Sequence, residues 1–479
     1  MTTEPLTISS EARLGLLKGS LPTWLIEQRW FGAKTRAIAS VEIIDWMPFS
    51  TVAALIFVQV LYAEGTPDTY QLPLLLSGEG ISDATADEAF RQSLLKLMED
   101  QAEVELPKGA TLSGRQTGGI AAIRGVEKLV AKVGSAEQSN TCIVFGDKMI
   151  LKLFRRLEQG ENPDVEIGRF LTEVAHFHHI PRLLGEISLQ QQGEEKISIA
   201  MLQNLVANEG DGWSWTLDQL AHFDGSAAPP FLEAISLLGR RTAAMHLALA
   251  TETLDDAFRS EPLTTAELEA DVRRIRTQID HALSALEQAM PHLKAESAAG
   301  AAKILSSRSE LIAEPDAILR EQPSGRIIRI HGDYHLGQVL RTADDFVILD
   351  FEGEPAASLP ERRKKSCPLK DVAGMLQSFS YAAGTSLQQR PALLGQLQLW
   401  QEKVSYSFFN AYCMTMAAQP GLLPQPALME WLLRSYQLEK ASYELLYELN
   451  NRPTWVGIPI AGILTLISPV PPASMVTYT

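Results

Sequence analysis

The feature that most constrains the fold is a polar stretch framed by two strand-like runs, at residues 326–330 and 346–349, in a half of the chain that is otherwise helical in pattern. Asp333 and Gln338 follow the first run, and Asp350 ends the second. If the two runs pair as a hairpin, all three side chains lie at one edge. A lone aspartate in such a place is usually a surface turn residue, but the ordered set in its strand context favours a functional site.

The pattern of strands and helices differs between the two parts of the chain. Short strand-like runs predominate in the first part, and helical periodicity predominates after Gly212. Strands are predicted at 41–46, 53–62, 131–133, 141–145, 149–154 and 197–202. Helices are predicted at 21–30, 83–101, 163–174, 231–250, 265–288 and 391–449. Separate β-rich and helical parts with a cleft between them predict an α+β fold.

Composition and charge exclude several classes of protein. The formal net charge of -16 would repel a phosphate backbone, so a nucleic-acid partner is not expected. Cys142, Cys367 and Cys413 form no C-x-x-C pair, which argues against a zinc site or a disulfide framework and suits a reducing cytosol. The N-terminus lacks a sustained apolar core, and the longest apolar run, 458–470, contains prolines and is too short for a bilayer. A cytoplasmic protein with no membrane partner is expected.

The polar stretch has the residue types that phosphoryl transfer requires. This reaction needs a carboxylate to orient and deprotonate the attacking hydroxyl, and oxygen ligands to hold Mg²⁺ on the phosphates. Protein kinases use H-R-D-x-x-x-x-N and D-F-G for this work. Here His331 begins H-G-D-x-x-x-x-Q and Asp350 begins D-F-E, and Gln338 offers the same amide oxygen as asparagine. Asp371 is expected to brace this loop by hydrogen bonds, and His246 to pack between helices.

A lysine for the phosphates is predicted in the β-rich part. Lys152 lies in the apolar run 149–154, where a solvated lysine would be out of place, and it matches the lysine of V-A-I-K. Glu166, in the next predicted helix, is the expected ion-pair partner, and Glu173 competes with it. The alternative is a lysine that protects an edge strand from pairing with other chains.

The remaining nucleotide contacts are predicted in two turns of the β-rich part. The chain has no G-x-x-x-x-G-K-[ST] and no G-x-G-x-x-G there. The phosphate loop is therefore assigned to the turn that contains Gln138, Ser139 and Asn140, for which an ordinary polar turn stays the alternative. Adenine is expected to meet backbone groups of Met201 to Gln203, where a predicted strand leads into the linker between lobes.

A set of motifs is spread along the whole chain. They are Gln28–Lys34, Ser139–Thr141, Lys152, Asn162–Glu166, Gly210–Trp213, His331–Leu340, Asp350–Pro355, Pro368–Leu376 and Tyr443–Pro453. Together they resemble bacterial maltokinases, in the aminoglycoside-phosphotransferase branch of the protein-kinase-like fold. The departures are mild: Tyr334 stands where Leu is expected, Thr35 where Gly is usual and Gln377 where Arg is usual.

The resemblance implies a bilobal fold in three parts. An N-terminal cap spans 1–105, a small lobe spans 106–205, and a mainly helical C-lobe spans 206–479. The cap's Trp30 and Phe31 carry no evident chemistry and are expected to be a packing or docking element.

The resemblance also implies a reaction and its cofactors. ATP and Mg²⁺ are expected, with Asp333 as the catalytic base, Gln338 and Asp350 as magnesium ligands and Glu352 as a further ligand. The γ-phosphate would pass to the anomeric hydroxyl of maltose. The product, maltose 1-phosphate, would feed α-glucan and glycogen synthesis, and a maltose-producing trehalose synthase is the implied functional partner.

A polar stripe near the C-terminus is the predicted sugar site. The residues that helical spacing places on one face are Lys440, Tyr443, Glu444, Tyr447 and Glu448. Glu444 and Glu448 are like charges at i, i+4, which is unfavourable on a free helix and favours a functional face over a solvated one. The other predicted sugar contacts are Arg452 and Trp455 at the helix exit and His335 in the catalytic loop.

Two other functions compete with maltose phosphorylation. A kinase of glucosamine or of an aminoglycoside would need a pocket richer in carboxylates. Basic residues crowd the stretch after the catalytic aspartates and suit a neutral sugar better: Arg362, Arg363, Lys364, Lys365 and Lys370. A catalytically inactive regulatory module is the third reading, and intact Lys152, Asp333, Gln338 and Asp350 argue against it.

Overall fold

The computed structural model describes residues 11–77, 80–125, 127–134 and 139–467, and Gln138 of the predicted phosphate loop lies outside them. The chain divides into two compact units. The first comprises Met1–Val174 and Pro181–Val206, and the second comprises Ala175–Ile180 and Ala207–Thr479. The chain therefore passes from one unit to the other after residues 174, 180 and 206.

The first unit is built on two antiparallel sheets. Its strands are β1 (Ile38–Pro48), β2 (Ala53–Tyr62), β3 (Asp68–Ser77), β4 (Gly80–Asp83), β5 (Glu103–Glu105), β6 (Thr111–Gln116), β7 (Ala131–Val133), β8 (Asn140–Phe145), β9 (Met149–Phe154), β10 (Arg156–Leu157), β11 (Leu183–Gln190) and β12 (Ile197–Asn204). The first sheet has the order β1-β2-β3-β10, with β4 also paired to β3, and the second has the order β5-β6-β11-β12-β9-β8-β7. Because β9 and β10 are consecutive in the chain, the strand that carries Lys152 leads directly into the first sheet.

Strand β2 of the first sheet is apolar on both faces. Successive side chains of a strand point to opposite faces, and in β2 Leu55 and Phe57 join one hydrophobic cluster while Ile56 and Val58 join another. The helices of this unit are α1 (Glu11–Glu27), α2 (Glu88–Glu99), α3 (Ile120–Arg124) and α4 (Pro163–Glu173). Helix α1 packs on β1, and α2 packs on β6 and β11. The continuous apolar run at 53–62 is thus explained by burial on both sides.

The aromatic motif around Trp30 and Phe31 is a packing element, as predicted. Both rings are buried against Tyr70 of β3, with centroid separations of 6.1 and 5.3 Å. The Arg155 guanidinium lies 4.8 Å from the Trp30 ring centroid and 2.6 Å from Asp83 Oδ2. Since Arg155 directly follows β9, the motif joins the first sheet to the end of that strand.

The second unit is mainly helical. Its helices are α5 (Gly212–Ala221), α6 (Pro229–Leu249), α7 (Thr265–Ala289), α8 (Ala295–Ser306), α9 (Arg308–Ala313), α10 (Leu359–Arg362), α11 (Leu369–Gln389), α12 (Leu394–Met416), α13 (Pro426–Asn451) and α14 (Gly457–Ile467), and its strands are β13 (Glu261–Pro262), β14 (Arg326–Ile327), β15 (Val339–Arg341) and β16 (Phe346–Ile348). Helix α6 packs on α12, α7 packs on α13, and α11 packs on both α12 and α13. The core of this unit therefore lies among these long helices.

The two late strands do not pair with each other, so the hairpin predicted between them is wrong. Strand β14 pairs with β13, whereas β16 pairs with β15 in the register Val339↔Ile348. Ile328 leaves the short ladder and exchanges backbone hydrogen bonds with Ser366. The run 326–330 is apolar because it is buried, and burial alone does not identify a strand's partner.

The α+β class predicted from the sequence is confirmed, with the helices concentrated in the second unit. Strands β2, β7 and β9 have the predicted bounds. The predicted helix at 391–449 is divided into α12 and α13 by a turn in which Gly421 has φ +87, a conformation that favours glycine. Among the described residues, no helix combines the length and the apolar character that a membrane crossing requires.

Candidate active site

The loop that carries Asp333 is fixed by hydrogen bonds to a buried carboxylate. Asp371, in the first turn of α11, accepts the backbone N–H of His331 at 2.8 Å and that of Gly332 at 2.9 Å. Gly332 has φ +84, which a residue with a side chain would adopt only with strain. The predicted brace by Asp371 is confirmed.

Asp371 is held in turn by His246 of α6. His246 Nε2 lies 3.0 Å from Asp371 Oδ2, and His246 Nδ1 lies 2.9 Å from the Tyr412 hydroxyl. All three side chains are buried. Burial favours the neutral form of Asp371, but the hydrogen bond and charge of His246 outweigh it and hold the pKa of this carboxyl below its ordinary value. His246 therefore supports the catalytic loop in addition to packing between helices.

His331 connects the loop of Asp333 to the segment that ends at Asp350. Its Nε2 donates to Leu349 O at 2.8 Å, and its Nδ1 accepts the Asp333 N–H at 3.4 Å. The Leu349 N–H in turn donates to Gln338 O at 2.9 Å. These bonds and the β15–β16 hairpin bring Asp333, Gln338 and Asp350 together.

Asp333 forms a partly buried ion pair with Lys440 of α13. Asp333 Oδ1 lies 2.8 Å from Lys440 Nζ, and Oδ2 lies 3.8 Å from His335 Nε2. Burial opposes ionisation of Asp333, but the charges of Lys440 and His335 outweigh it and hold the pKa below its ordinary value. Since Oδ1 is occupied by the ammonium, Oδ2 is the atom that an acceptor hydroxyl would approach.

The residues that flank the β15–β16 hairpin offer oxygen ligands for a divalent cation. Gln338 Nε2 lies 3.3 Å from Asp350 Oδ2, and ligand oxygens of Asp350 and Glu352 lie within 4.8 Å of each other. Asp350 has φ +62, a value uncommon outside glycine, and this turns its carboxylate away from the strand direction. Mg²⁺ prefers carboxylate and amide oxygens. The three predicted ligands therefore fit the chemistry of that ion.

The first unit contains the predicted phosphate lysine. Lys152 Nζ lies 3.0 Å from Asp164 Oδ2, in the first turn of α4, and the Lys152 side chain is 18% exposed. Asp164 is thus an acidic partner that the sequence analysis did not name. Glu166 is also buried on α4, and its pairing with Lys152 stays a prediction. The edge-strand alternative is wrong, because β9 lies between β12 and β8.

The other residues predicted to contact the nucleotide lie at the start of one strand and within another. Ser139 is exposed just before β8, and Asn140 begins that strand. Met201 and Gln203 lie within β12, which has partners on both sides, so their backbone groups belong to the sheet. Strand β12 extends two residues further than the predicted strand, and the expected backbone contact of these two residues with adenine stays a prediction.

An open cavity lies beside Asp333 within the second unit. Its lining residues come from the catalytic loop, the segment after Asp350, and helices α7, α11 and α13: Gln278, Gly332, Asp333, Tyr334, Glu354, Lys370, Asp371, Gly374, Tyr436, Glu439, Lys440 and Tyr443. A Cβ at Gly374 would lie 2.5 Å from Tyr334 O, so glycine allows α11 to approach the catalytic loop. The cavity is the candidate acceptor site because the predicted base lines it.

The predicted sugar residues divide into two groups. Lys440 and Tyr443 line the cavity, and His335 lies beside Asp333. Glu444, by contrast, accepts a hydrogen bond from Gln377 Nε2 at 2.9 Å, and burial raises its pKa to about 7.

The rest of the predicted stripe forms a cluster near the end of α13. Glu448 is buried and accepts hydrogen bonds from Tyr381 and Arg452. Trp455 stacks on Tyr381 at a centroid separation of 6.4 Å, and Tyr447 is exposed. Glu448 and Arg452 are thus bonded to other side chains of this protein. Their roles as sugar contacts stay predictions.

Five lining residues were not assigned from the sequence: Gln278, Glu354, Lys370, Tyr436 and Glu439. Tyr436 lies four residues before Lys440, so extending the predicted stripe by one helical turn would have included it. Glu354 and Lys370 lie in motifs that the sequence analysis quoted without a role. For Gln278 on α7 we find no sequence signal.

Comparison with known proteins gives a domain and several relatives. Residues 24–93 match the family described as the maltokinase N-terminal cap domain. A glucosamine kinase from Streptacidiphilus jiangxiensis is 26% identical over 337 residues, covering 69% of this chain and 72% of that protein. A glucosamine kinase from Mycolicibacterium smegmatis is 24% identical over 338 residues, covering 70% of this chain and 78% of that protein.

A solved glucosamine kinase in complex with glucosamine, ADP and inorganic phosphate superposes with a TM-score of 0.69 at 20% identity. The superposition covers 95% of this chain and 99% of that chain. At such identity the likeness shows the fold and does not show the substrate. Residues 24–93 are therefore similar to the maltokinase N-terminal cap domain, and the chain has the α+β, protein-kinase-like fold of glucosamine kinase.

Proposed function

We propose that this protein is an ATP-dependent sugar kinase that phosphorylates maltose at its anomeric hydroxyl to give maltose 1-phosphate. The observation that carries the proposal is Asp333, held ionised by Lys440 at the edge of an open cavity lined by polar side chains. A product of this kind would feed α-glucan or glycogen synthesis.

In this proposal Asp333 acts as the general base. The acceptor hydroxyl donates a hydrogen bond to Asp333 Oδ2, and its proton moves to that oxygen as the hydroxyl oxygen attacks the γ-phosphorus. The bond between that phosphorus and the β,γ-bridging oxygen breaks, and ADP leaves with the electron pair. A carboxylate with a lowered pKa is ionised at neutral pH and is ready to orient the hydroxyl. Strong basicity is not needed, since positioning and charge stabilisation dominate phosphoryl transfer.

Phosphate binding and metal binding are assigned to different residues. Lys152, fixed by Asp164, would bind phosphate oxygens of ATP. Gln338, Asp350 and Glu352 would hold Mg²⁺, which when bound neutralises charge that develops on the phosphates.

The charge pairing around the cavity supports a neutral acceptor. An aminosugar brings an ammonium, which needs a carboxylate that is not already neutralised. Asp333 is paired with Lys440, and Glu439 is paired with Arg274. Asp371 is engaged by His246. These three acidic groups are therefore satisfied by the protein itself.

Glu354 is the remaining acidic group of the cavity. Its charge favours the protonated forms of both Lys370 and Lys440, so it lies in the field of two cations. An ammonium that approached Glu354 would be repelled by both lysines. The basic residue that matters here is Lys370, whereas Lys365 is paired with Glu261.

A kinase of glucosamine is the second candidate. Two glucosamine kinases that match more than two thirds of this chain favour it. The maltokinase-type cap at residues 24–93 favours the first candidate.

The test is an acceptor panel. The protein is incubated with ATP and Mg²⁺ and with maltose, glucose, glucosamine or kanamycin, and ADP release is measured together with the position of the new phosphate. Turnover of maltose at the anomeric position supports the proposal. Turnover of glucosamine without turnover of maltose replaces it by the second candidate, and no turnover on any acceptor indicates an inactive module.

A further inference from the structure

The polar groups that line the acceptor cavity fall into two sets. One set is already bonded to protein: Asp333 to Lys440, Asp371 to His246, Tyr436 to Asp271 and Glu439 to Arg274. The other set has no hydrogen bond or ion pair from its side chain to any residue in the described part of the chain. Its members are Gln278, Glu354, Lys370 and Tyr443.

Lys370 is the most informative of these residues. It is partly buried in the first turn of α11, next to Asp371, and it lines the cavity. Burial and the nearby Arg274 charge lower its pKa to about 8, in spite of Glu354. A cation at a helix N-terminus is also disfavoured by the helix dipole. The Lys370 ammonium has no hydrogen bond or ion pair within the described residues, so an oxygen-rich ligand is the natural partner for its N–H donors.

Glu354 and Gln278 complement Lys370. Glu354 stands directly after Gly353, whose φ of +76 turns the chain after Asp350. Gln278 comes from α7. A sugar ring presents hydroxyls that both donate and accept, and the three side chains supply an acceptor, a donor and a group that does both. They reach the cavity from separate elements: Gln278 from α7, Lys370 from α11 and Glu354 from the segment after Asp350.

We propose that Gln278, Glu354 and Lys370 form the hydroxyl-binding wall of the acceptor site and determine which sugar is phosphorylated. The inference rests on the proposed sugar-kinase function and extends it to residues outside the predicted stripe. In the bound state Lys370 donates a hydrogen bond to a sugar oxygen, and Glu354 accepts one from a sugar hydroxyl. Gln278 hydrogen-bonds to two neighbouring sugar hydroxyls, donating to one and accepting from the other.

The test compares Lys370→Met and Gln278→Leu with matched controls. Lys403→Met and Gln398→Leu make the same changes at exposed positions of α12. Initial rates give kcat, the KM for acceptor and the KM for ATP. We expect the acceptor KM to rise about tenfold or more for Lys370→Met and about threefold to tenfold for Gln278→Leu, with kcat and the ATP KM changed less than twofold. The controls should behave as the parent protein.

A second measurement separates sugar binding from general damage to the fold. Deoxy analogues of the accepted sugar are compared in the parent protein and in Lys370→Met. For the analogue that lacks the hydroxyl bound by Lys370, the two proteins should have equal KM. Glu354→Gln, which keeps shape and removes charge, should alter the ranking of acceptors while the melting temperature stays within a few degrees.

The outcomes distinguish this inference from the proposed function. If some sugar is turned over and the acceptor KM is unchanged in both wall variants, the wall is wrong and the kinase assignment stands. If no sugar is turned over, the kinase assignment fails. Titration calorimetry with maltose and glucosamine then tests whether the proposed wall binds a sugar. Weaker binding by Lys370→Met than by Lys403→Met supports it, and equal or absent binding overturns it.

Discussion

At the scale of single residues, the ion pair of Asp333 and Lys440 has two consequences. It keeps the base ionised, and it occupies one of the two carboxylate oxygens. Asp333→Asn should retain the shape of the loop and lose the proton acceptor. We expect kcat to fall on the order of 10²-fold or more, while the Kd for Mg-ATP changes little. Steady-state rates and nucleotide titration measure both, and full activity of the variant would show that the base is misassigned.

Glu444 makes a prediction about stability and pH. Burial raises its pKa from 4.5 to about 7, against the hydrogen bond from Gln377. A raised pKa in the folded state favours the protonated form, so its stabilising effect is complete below pH 4.5 and is lost as pH rises through about 7. The isosteric Glu444→Gln removes this dependence. Between pH 5 and 8 it should gain up to about 3 kcal/mol in free energy of unfolding relative to the parent.

Urea unfolding at several pH values measures this difference. Glu402→Gln, at an exposed position of α12, is the matched control and should follow the parent protein. A Glu444→Gln curve parallel to the parent curve over this range would show that Glu444 has an ordinary pKa.

Several of these residues were accessible from the sequence, and others were not. Asp333 was named because its motif carries the chemistry, and Lys440 and Tyr443 were named because helical spacing places them on one polar face. The departures at Tyr334 and Gln377 were visible as well, but their partners were not: the Tyr334 hydroxyl lies 2.9 Å from Thr242 Oγ1, and Gln377 bonds Glu444. Such contacts join residues far apart in the chain, and no local pattern records them.

At the scale of elements, the catalytic loop depends on the buried Asp371 of α11. In Asp371→Asn an amide N–H₂ would face the backbone N–H of His331 or Gly332. We expect a loss of about 2 to 4 kcal/mol in unfolding free energy and at least a tenfold lower kcat, with the Kd for ATP nearly unchanged. Chemical denaturation and steady-state rates provide the measurements.

Tyr412→Phe is the control for this variant. It removes only the hydroxyl at the far end of the His246 link and should cost about 1 kcal/mol with kcat close to the parent value. If the two variants lower kcat equally, the loop is not positioned by Asp371 specifically.

The pairing of short strands marks a limit of sequence analysis at this scale. Helical periodicity placed α6 and α7 within two residues of their observed bounds. Strand β14, however, pairs with the two-residue β13 more than sixty positions earlier, and β15 was not predicted at all. Three residues are too few for an alternating pattern to be recognised, so their partners become evident only in three dimensions.

At the scale of the whole molecule, the two substrates should stabilise the protein through different residues. A ligand at 100-fold its Kd adds about 2.7 kcal/mol to the stability of the folded state, which raises the melting temperature by a few degrees in a chain of this size. Lys152→Met should lose the shift caused by Mg-ATP and keep the shift caused by the sugar. Lys370→Met should do the reverse, and loss of both shifts in either variant would contradict separate roles.

The division of the chain was only partly accessible from the sequence. The end of the small lobe expected at 205 lies close to the passage between units after 206. The short return at Ala175–Ile180 has no such signal: His179 O accepts the backbone N–H of Ile348, and its ring lies 3.5 Å from Asp345. The proposed boundary at 105 falls between β5 and β6, two paired strands of one sheet.

The direct passage from β9 into β10 has a consequence for engineering chimeras of such a protein and for the evolution of its sequence. Gln71 of the first sheet donates to Phe154 O at 2.5 Å and to Ile199 O at 2.6 Å, and β10 is paired to β3. The cap therefore pairs with the short strand that follows β9, and its Gln71 supplies hydrogen-bond donors to the sheet that carries Lys152. A chimera with a cap from another protein would have to import residues 155–157 along with it, and natural caps of this type would be expected to diverge together with the strand they adjoin.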